Sequence, residues 1–418
     1  MNPQIIITMV RVMIERRRGI RNIVSSVRYN SRMSPTTARM RLQSIDILRG
    51  AIMILMALDH VRDFFNTDAQ QFAPDNLAKT TAALFFTRWV THFCAPTFML
   101  LAGVGAALWE QRGRSRGELS RFLLIRGLWL IVVEFTLVRF AFFFNVDYSV
   151  VILLVFWAIG ASMIVLAGLI HLPRNVLLAI SVLMIAGHNL LDGVKAGPVW
   201  TVLHEQGAFR LFGSTIVVAY PLVPWIGVMT LGYCAGPLFR LDSERRRTIL
   251  IRTGIAVTAA FLVVRAINVY GDPRPWTGAR PVLSFLNCTK YPPSLDFLLM
   301  TLGPAILVLG LLEHVRLSNP NPLLVFGRVP FFYFVLHLFV LHAVAVIAAG
   351  FQYGEPLFLL RHKLPTLFGR SPDFPADYGY GLIATYGWWL LVVILLYPAC
   401  RWFANLKARR RDPWLSYL

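Results

Sequence analysis

Residues 44–63 read SIDILRGAIMILMALDHVRD, a stretch whose charged residues all lie near its two ends. The centre, residues 50–58, carries no charge, and the stretch has about the 20 residues that a helix needs to cross a bilayer. Similar apolar runs recur along nearly the whole chain. They predict an all-α, polytopic transmembrane helix bundle, because the strands of a membrane barrel would alternate apolar and polar residues.

The overall composition is also that of a membrane protein. Of the 418 residues, 56% are hydrophobic and 15% are charged, whereas soluble domains have about 25% charged residues. The net charge of +20 would suit a nucleic-acid binder if the cations shared one soluble face with aromatic residues. They occur instead in short clusters between apolar runs, so we expect membrane lipid as a partner and no nucleic acid.

About ten spans can be placed on the chain. The predicted spans are 44–65, 82–108, 122–144, 148–170, 174–192, 214–238, 248–270, 294–313, 323–349 and 380–403. If residue 44 enters from the cytoplasm, the basic clusters at 112–121, 240–247 and 407–411 all fall on the cytoplasmic side. An even number of spans then leaves both termini in the cytoplasm, as in a multi-pass protein of the cell inner (plasma) membrane.

Three parts of the chain are predicted. Residues 1–42 form a basic cytoplasmic arm with nine arginines and one glutamate. Residues 43–404 form the transmembrane domain, and residues 405–418 a basic and aromatic cytoplasmic tail. The four cysteines lack ligand spacing, so we expect no disulfide framework, no metal and no tightly bound cofactor.

The first span carries the densest set of ionisable residues. Arg49 and His60 are eleven residues apart, which places them on one helix face about 16 Å apart along the axis. Histidine suits general acid–base work at neutral pH. Asp59 and Asp63 could orient its ring or raise its pKa, although Asp59 is adjacent to His60 and points about 100° away around the helix. Alternatively, Asp46 and Arg49 form a helix cap and ion pair, while residues 59–63 are simply the outer end of the helix.

Further candidates lie on other spans. His92 precedes a proline in mid-span, His337 and His342 share the ninth span, and Lys290 and Tyr291 precede the eighth. A histidine of this kind, taken alone, is more often a packing residue than a site residue. His337 and His342 point about 140° apart around a helix, which disfavours a shared metal.

Some charged residues within spans are predicted to be structural. Glu134, with Arg139 nearby, and the residues Arg265 and Asp296 are interpreted as buried partners. The sequence contains no P-loop, no Rossmann glycine fingerprint after a strand, and no Gly-x-Ser-x-Gly.

Several motifs together resemble a known family. They are RLQSIDILRG at 41–50, Asp59-His60-x-Arg62, THFCAP at 91–96, YPLVPWIG at 220–227, TKYPPS at 289–294, and FGRVP at 326–330 followed by His337. From about residue 41 to the C-terminus the chain resembles the bacterial membrane proteins related to heparan-alpha-glucosaminide N-acetyltransferase. The characterised relative moves an acetyl group from cytoplasmic acetyl-CoA across the membrane to an amino sugar.

The spacing of Arg49 and His60 also resembles the arginine and histidine pair of membrane acyltransferases that modify surface polysaccharides. The resemblance implies that Arg49 contacts an acyl-CoA donor and that His60, with Asp59, is catalytic. It leaves a ternary mechanism and an acyl-histidine mechanism both open. The residues expected to bind substrate are Arg62, His92, Lys290, Tyr291, Arg328 and His337.

Two other functions fit parts of the sequence. A proton-coupled transporter would also need intramembrane Asp, Glu and His, but the two halves show no matching interrupted helices. A non-enzymatic membrane scaffold would leave the cluster around His60 unexplained. The expected partners are therefore acyl-CoA and a glycan or other extracytoplasmic acceptor, and the sequence leaves an oligomer open.

Overall fold

The computed structural model describes residues 42–361, 374–410, 412 and 415. Except for its last residue, the predicted N-terminal arm at 1–42 lies outside the described residues. The predicted boundary at 404 falls within a continuous helix, Leu382–Arg409. The first residues of the predicted tail therefore prolong the last helix.

Helices form most of the described chain. The longer ones are α1 (Gln43–Phe65), α2 (Ala82–Thr91), α3 (Cys94–Glu110), α4 (Arg116–Val133), α5 (Val155–Leu169), α6 (Arg174–Ala186), α7 (Leu222–Cys234), α8 (Ser243–Ile267), α9 (Leu295–Leu311), α10 (Pro330–Tyr353) and α11 (Leu382–Arg409). Shorter helices are Thr67–Gln71, Arg139–Phe143, Gly197–Leu203, Pro281–Leu286, Pro322–Arg328 and Phe358–Arg361. A π-helix spans Glu134–Val138, and 3-10 turns span His188–Leu191, Gly236–Arg240 and Leu312–His314.

Among the described residues, 6 helical segments are long and apolar enough to cross a membrane. They are Ala82–Glu110, Leu222–Arg240, Ser243–Ile267, Leu295–His314, Pro330–Tyr353 and Leu382–Arg409. Helix α1 has 23 residues, a rise of about 34 Å, and carries charges towards both ends. The six apolar segments indicate an integral membrane protein. The count of ten spans stays a prediction.

A small sheet corrects the prediction of an all-α fold. Strand β1 (Val150–Leu153) pairs in parallel with β3 (Ser214–Val218), and β3 pairs antiparallel with β2 (Gly207–Leu211). The predicted spans 148–170 and 214–238 therefore begin too early. Residues 150–152 and 215–218 are uncharged and β-branched, so they extend an apolar run in the sequence while favouring strand backbone.

Two glycines bring α1 and the short helix Pro322–Arg328 into backbone contact. A Cβ added at Gly50 would lie 1.9 Å from the carbonyl oxygen of Leu323, and one added at Gly327 would lie 1.8 Å from that of Asp46. Any side chain at either position would push the helices apart. The glycines of the RLQSIDILRG and FGRVP motifs thus place the residues beside them, Arg49 and Arg328, near each other.

Candidate active site

Two histidines from distant parts of the sequence meet inside the bundle. Nδ1 of His60 on α1 lies 2.7 Å from Nε2 of His337 on α10. The two rings stack with their centroids 5.0 Å apart. His337 is fully buried, while His60 is partly accessible.

The hydrogen bonds of this pair determine which nitrogens carry protons. Nδ1 of His337 bonds to the carbonyl oxygen of Phe334, which can only accept, so this nitrogen is protonated. Nε2 of His337 then has the lone pair and accepts the Nδ1 proton of His60. Nε2 of His60 is left unprotonated and able to accept a proton from another group. His337 therefore orients the ring of His60.

Asp59, which was predicted to orient His60, is bound to cations instead. Both of its carboxylate oxygens accept from Arg88 on α2, and Oδ1 also accepts from Arg62 at 3.2 Å. Arg62 donates to Asp63 at 2.5 Å as well, and both of these residues are buried. Arg62 is thus part of a buried ion cluster. Sequence reasoning missed Arg88, although it is the single Asp, Glu, Lys or Arg within the predicted span 82–108.

Lys290 and Tyr291 lie on the loop that precedes α9. Lys290 Nζ is 5.1 Å from the ring centroid of Tyr291, whose hydroxyl donates to that of Tyr220 at 3.4 Å. Lys290 is also close enough to interact electrostatically with His60. Burial would raise the pKa of the Tyr291 hydroxyl, but the charges of Lys290 and Arg88 outweigh burial and lower it. The loop therefore supplies a cation and an acidified hydroxyl.

Asp272 holds this loop in place. Its carboxylate accepts from the Thr289 amide at 2.7 Å, the Thr289 hydroxyl at 2.8 Å and the Ser294 hydroxyl at 2.6 Å. The Ser294 hydroxyl also caps α9 by accepting from the Phe297 amide at 3.1 Å. The first and last residues of the TKYPPS motif thus anchor the segment that presents Lys290 and Tyr291.

His92 lies at a break between two helices, as its proline neighbour predicted. Helix α2 ends at Thr91, and α3 begins at Cys94. The ring of His92 is buried against Phe297, with the centroids 5.3 Å apart, and is within electrostatic range of Arg88. Its Nδ1 is buried with no hydrogen-bond partner among the described residues. A role for His92 in binding substrate stays a prediction.

Arg49 and Arg328 line a cavity of about 340 Å³ around the first half of α1. Arg126 and Lys407, which the sequence did not single out, line the same cavity. Asp46 lies between Arg49 and Arg328. Its Oδ1 is 3.8 Å from Nη1 of Arg49, and its Oδ2 is 4.0 Å from Nε of Arg328. The ion pair of Asp46 and Arg49 is therefore present, and it borders a pocket with four basic residues.

The apolar wall of this cavity reaches the histidine pair. Phe156 and Phe334 line the cavity and pack together with ring centroids 4.3 Å apart. Phe334 also makes edge contacts with His60 at 6.1 Å and with His337 at 5.3 Å. One aromatic side chain thus touches both the basic pocket and the catalytic candidates.

Glu134 has a different partner from the predicted one. Its Oε2 accepts from the amides of Phe156 at 2.8 Å and Trp157 at 3.1 Å, at the N-terminus of α5. Arg139 instead donates to the side chain of Asn145 at 3.0 Å. The first amides of a helix have no partner within that helix. The buried carboxylate of Glu134 satisfies two of them.

Three other residues have structural partners. Arg265 and Asp296 form a buried ion pair at 3.4 Å, as predicted. His342 on α10 has its two ring nitrogens 2.9 Å from the carbonyl oxygen of Ala141 and 3.2 Å from that of Leu359. His342 therefore bridges backbone segments and does not join His337.

The helices and the site define an integral membrane protein with a buried histidine pair beside a basic pocket. Comparison with family models gives a match to the heparan-alpha-glucosaminide N-acetyltransferase catalytic family over residues 41–270. This range is more than half of the chain, and the chain belongs to that family. Membership indicates a membrane acetyltransferase. No curated protein sequence matches the chain.

Proposed function

We propose that this protein transfers an acetyl group from cytoplasmic acyl-CoA to a hydroxyl or amine outside the cytoplasm, on a glycan or a similar acceptor. We further propose about ten spans, with both termini in the cytoplasm, in the plasma membrane. The observation that carries this proposal is the cavity itself. It has four basic residues in its lining, and its aromatic wall contacts the ring of His60 through Phe334.

The lining of the cavity suits a coenzyme A thioester in charge and polarity. Guanidinium groups of Arg49, Arg126 and Arg328 can hold phosphate oxygens in two-pronged contacts, and Lys407 adds a point charge. The rest of the lining is mostly apolar, as the uncharged pantetheine arm requires. The rise of about 16 Å from Arg49 to His60 along α1 then separates phosphates from the reacting carbonyl.

The proton positions support His60 as a general base. Nε2 of His60 takes a proton from the acceptor while the acceptor nitrogen or oxygen attacks the thioester carbonyl. The carbon–sulfur bond then breaks, and the thiolate takes the proton from His60. Throughout, Nε2 of His337 accepts from Nδ1 of His60 and holds the ring in one orientation.

The loop before α9 is our candidate for the acceptor side. Lys290 is within electrostatic range of His60, where negative charge develops on the carbonyl oxygen during transfer, and the acidified Tyr291 hydroxyl lies beside Lys290. A cation or hydroxyl placed there stabilises that charge. Both residues can also hydrogen-bond to sugar hydroxyls.

Radiolabelled acetyl-CoA tests the proposal directly. We expect the purified full chain in detergent to transfer label to an added amino sugar such as glucosamine, or to another glycan in a mixture. We expect no labelled protein when the acceptor is omitted, because His60 acts as a base. Labelled protein would establish an acyl-enzyme mechanism, and no transfer to any acceptor in the mixture would contradict the proposed function.

The orientation of the cavity has its own test. In a cysteine-free background, Ser115→Cys and Ser243→Cys should resist an impermeant thiol reagent in intact cells, whereas Gly278→Cys should react with it. Labelling at position 115 would place the basic pocket on the wrong side for cytoplasmic acyl-CoA.

A further inference from the structure

A second group of ligating side chains lies outside the site described above. His188 is in the 3-10 turn after α6, Asp192 follows that turn, and His204 follows the short helix Gly197–Leu203. Both histidines are 2% exposed, whereas the Asp192 side chain is 22% exposed. Two buried imidazoles thus lie beside a partly accessible carboxylate, and the proposed acetyl transfer does not use them.

The ligand atoms are spaced as they are around a metal ion. Nδ1 of His188 is 3.2 Å from Nε2 of His204, which is 3.7 Å from Oδ1 of Asp192. All three atoms lie within 4.8 Å of one another. Two ligands of a tetrahedral zinc ion, each about 2.0–2.1 Å from the metal, are about 3.3 Å apart. The observed distances match this spacing without a large movement.

Neighbouring residues orient two of the three ligands. Trp200 stacks on the ring of His204 with centroids 5.0 Å apart. Asn189 donates to Oδ2 of Asp192 at 2.8 Å, which leaves Oδ1 facing His204. Such outer contacts are typical of metal sites because they fix the direction of each ligand. In this structure Nε2 of His204 also lies 2.8 Å from the carbonyl oxygen of His188, a contact that metal binding would replace.

We propose that His188, Asp192 and His204 bind one zinc-like divalent ion at the predicted extracytoplasmic end of α6, with a water or other ligand in a fourth position. The ion ties the segment after α6 to the start of α9. Oδ1 of Asn189 accepts from the amide of Leu295 at 2.9 Å, so the metal ligand Asp192 is linked through Asn189 to the helix that follows Lys290 and Tyr291.

Metal content and thermal stability test this site without any assay of acetyl transfer. We expect the untagged full chain, stripped with a chelator and equilibrated with zinc, to retain about one zinc per chain and to unfold at a higher temperature than the stripped protein. Cobalt should give the intense visible absorption of a tetrahedral site. This spectrum needs no variant, so it does not depend on the folding of any substitution.

Two ligand variants and two controls complete the test. His204→Gln and His188→Gln should each weaken zinc binding by more than ~100-fold, since even outer partners of a metal site contribute 10–100-fold. Lys195→Ala removes the ion pair with Glu205 in the same segment, and His171→Ala removes an exposed histidine. Both controls should keep zinc. Full zinc retention by both ligand variants, or the absence of a tetrahedral cobalt spectrum in the parent protein, would overturn the proposal.

Discussion

The two ends of α1 handle charge in different ways. At the first end, Arg49 is 21% exposed in its side chain and faces a cavity. At the other end, Asp59, Arg62 and Asp63 form ion pairs with one another and with Arg88; Arg62 and Asp63 are buried, and Asp59 and Arg88 are partly buried. One end is built to meet a charged molecule, and the other neutralises its charges internally.

This difference distinguishes residues that should affect ligand binding from residues that should affect folding. A buried ion that loses its partner is costly, because water cannot replace the missing contact. A cation that lines a cavity can be changed with less effect on the free energy of unfolding. His60 lies between these cases, since it is partly accessible and its hydrogen bond is to a neutral ring. Substitutions along α1 should therefore give distinct phenotypes.

The largest effect on activity is expected at His60. His60→Ala removes the proposed base and should lower the rate of acetyl transfer by ~10²–10⁴-fold, the usual contribution of general acid–base catalysis. Its abundance in the membrane should stay near the parental level. The measurement is labelled acetyl transfer by purified protein, with His171→Ala as a control for loss of an exposed histidine. If His60→Ala transfers acetyl groups at the parental rate, His60 is not the general base.

The largest effect on folding is expected at Arg88. Arg88→Ala leaves the partly buried carboxylate of Asp59 without its main partner and should lower the free energy of unfolding by about 3 kcal/mol, the low end of the range for a broken buried pair. The membrane abundance and the thermal unfolding temperature should both fall. The double variant Arg88→Ala with Asp59→Asn should recover part of that loss. If the single variant is as stable as the parent, the ion cluster has no structural role.

An intermediate effect is expected at His337, which touches His60 and not the proposed acceptor. His337→Leu removes the acceptor for the Nδ1 proton of His60 and should lower kcat by ~10–100-fold, by analogy with residues that orient a ligand or base. The KM for acyl-CoA should change little, and His337→Gln should restore part of kcat through its side-chain oxygen. A rise in KM with unchanged kcat would instead indicate that His337 binds substrate.

The smallest effect is expected at Arg49. Arg49→Lys keeps the charge but loses the two-pronged contact to phosphate, so the KM for acyl-CoA should rise by ~10-fold with little change in abundance. Arg210→Lys, at an exposed arginine on β2 outside the cavity lining, is the matched control. Loss of folded protein in Arg49→Lys would show that the Asp46 ion pair, and not donor binding, is the main role of Arg49.

Sequence reasoning succeeded where the signal was local. The long uncharged runs predicted most helices. Arg49 and His60 were predicted to lie on one helix, and both lie on α1. It failed for contacts between distant segments. Nothing within α1 indicates that the ring of His60 meets His337, and the prediction assigned that task to the adjacent Asp59.

The sheet and the basic pocket were missed for related reasons. The strand Val150–Leu153 resembles the start of an apolar span, and its partner strand is more than sixty residues away. Arg126 and Lys407 belong to separate helices and become neighbours of one cavity only after the bundle packs. Arg88 was also missed, but here the sequence carried a usable signal, because a lone cation in an apolar span needs a buried partner.

The pairing of β1 with β3 also has a consequence for biogenesis. During synthesis β1 emerges well before β3, and the helices α5 and α6 lie between them. Until β3 arrives, the backbone amides and carbonyls of β1 lack their strand partner and need water or a chaperone. Both strands lead directly into apolar helices, at Val155 and Leu222. The N-terminal ends of α5 and α7 can therefore reach their final positions only after β3 has been synthesised.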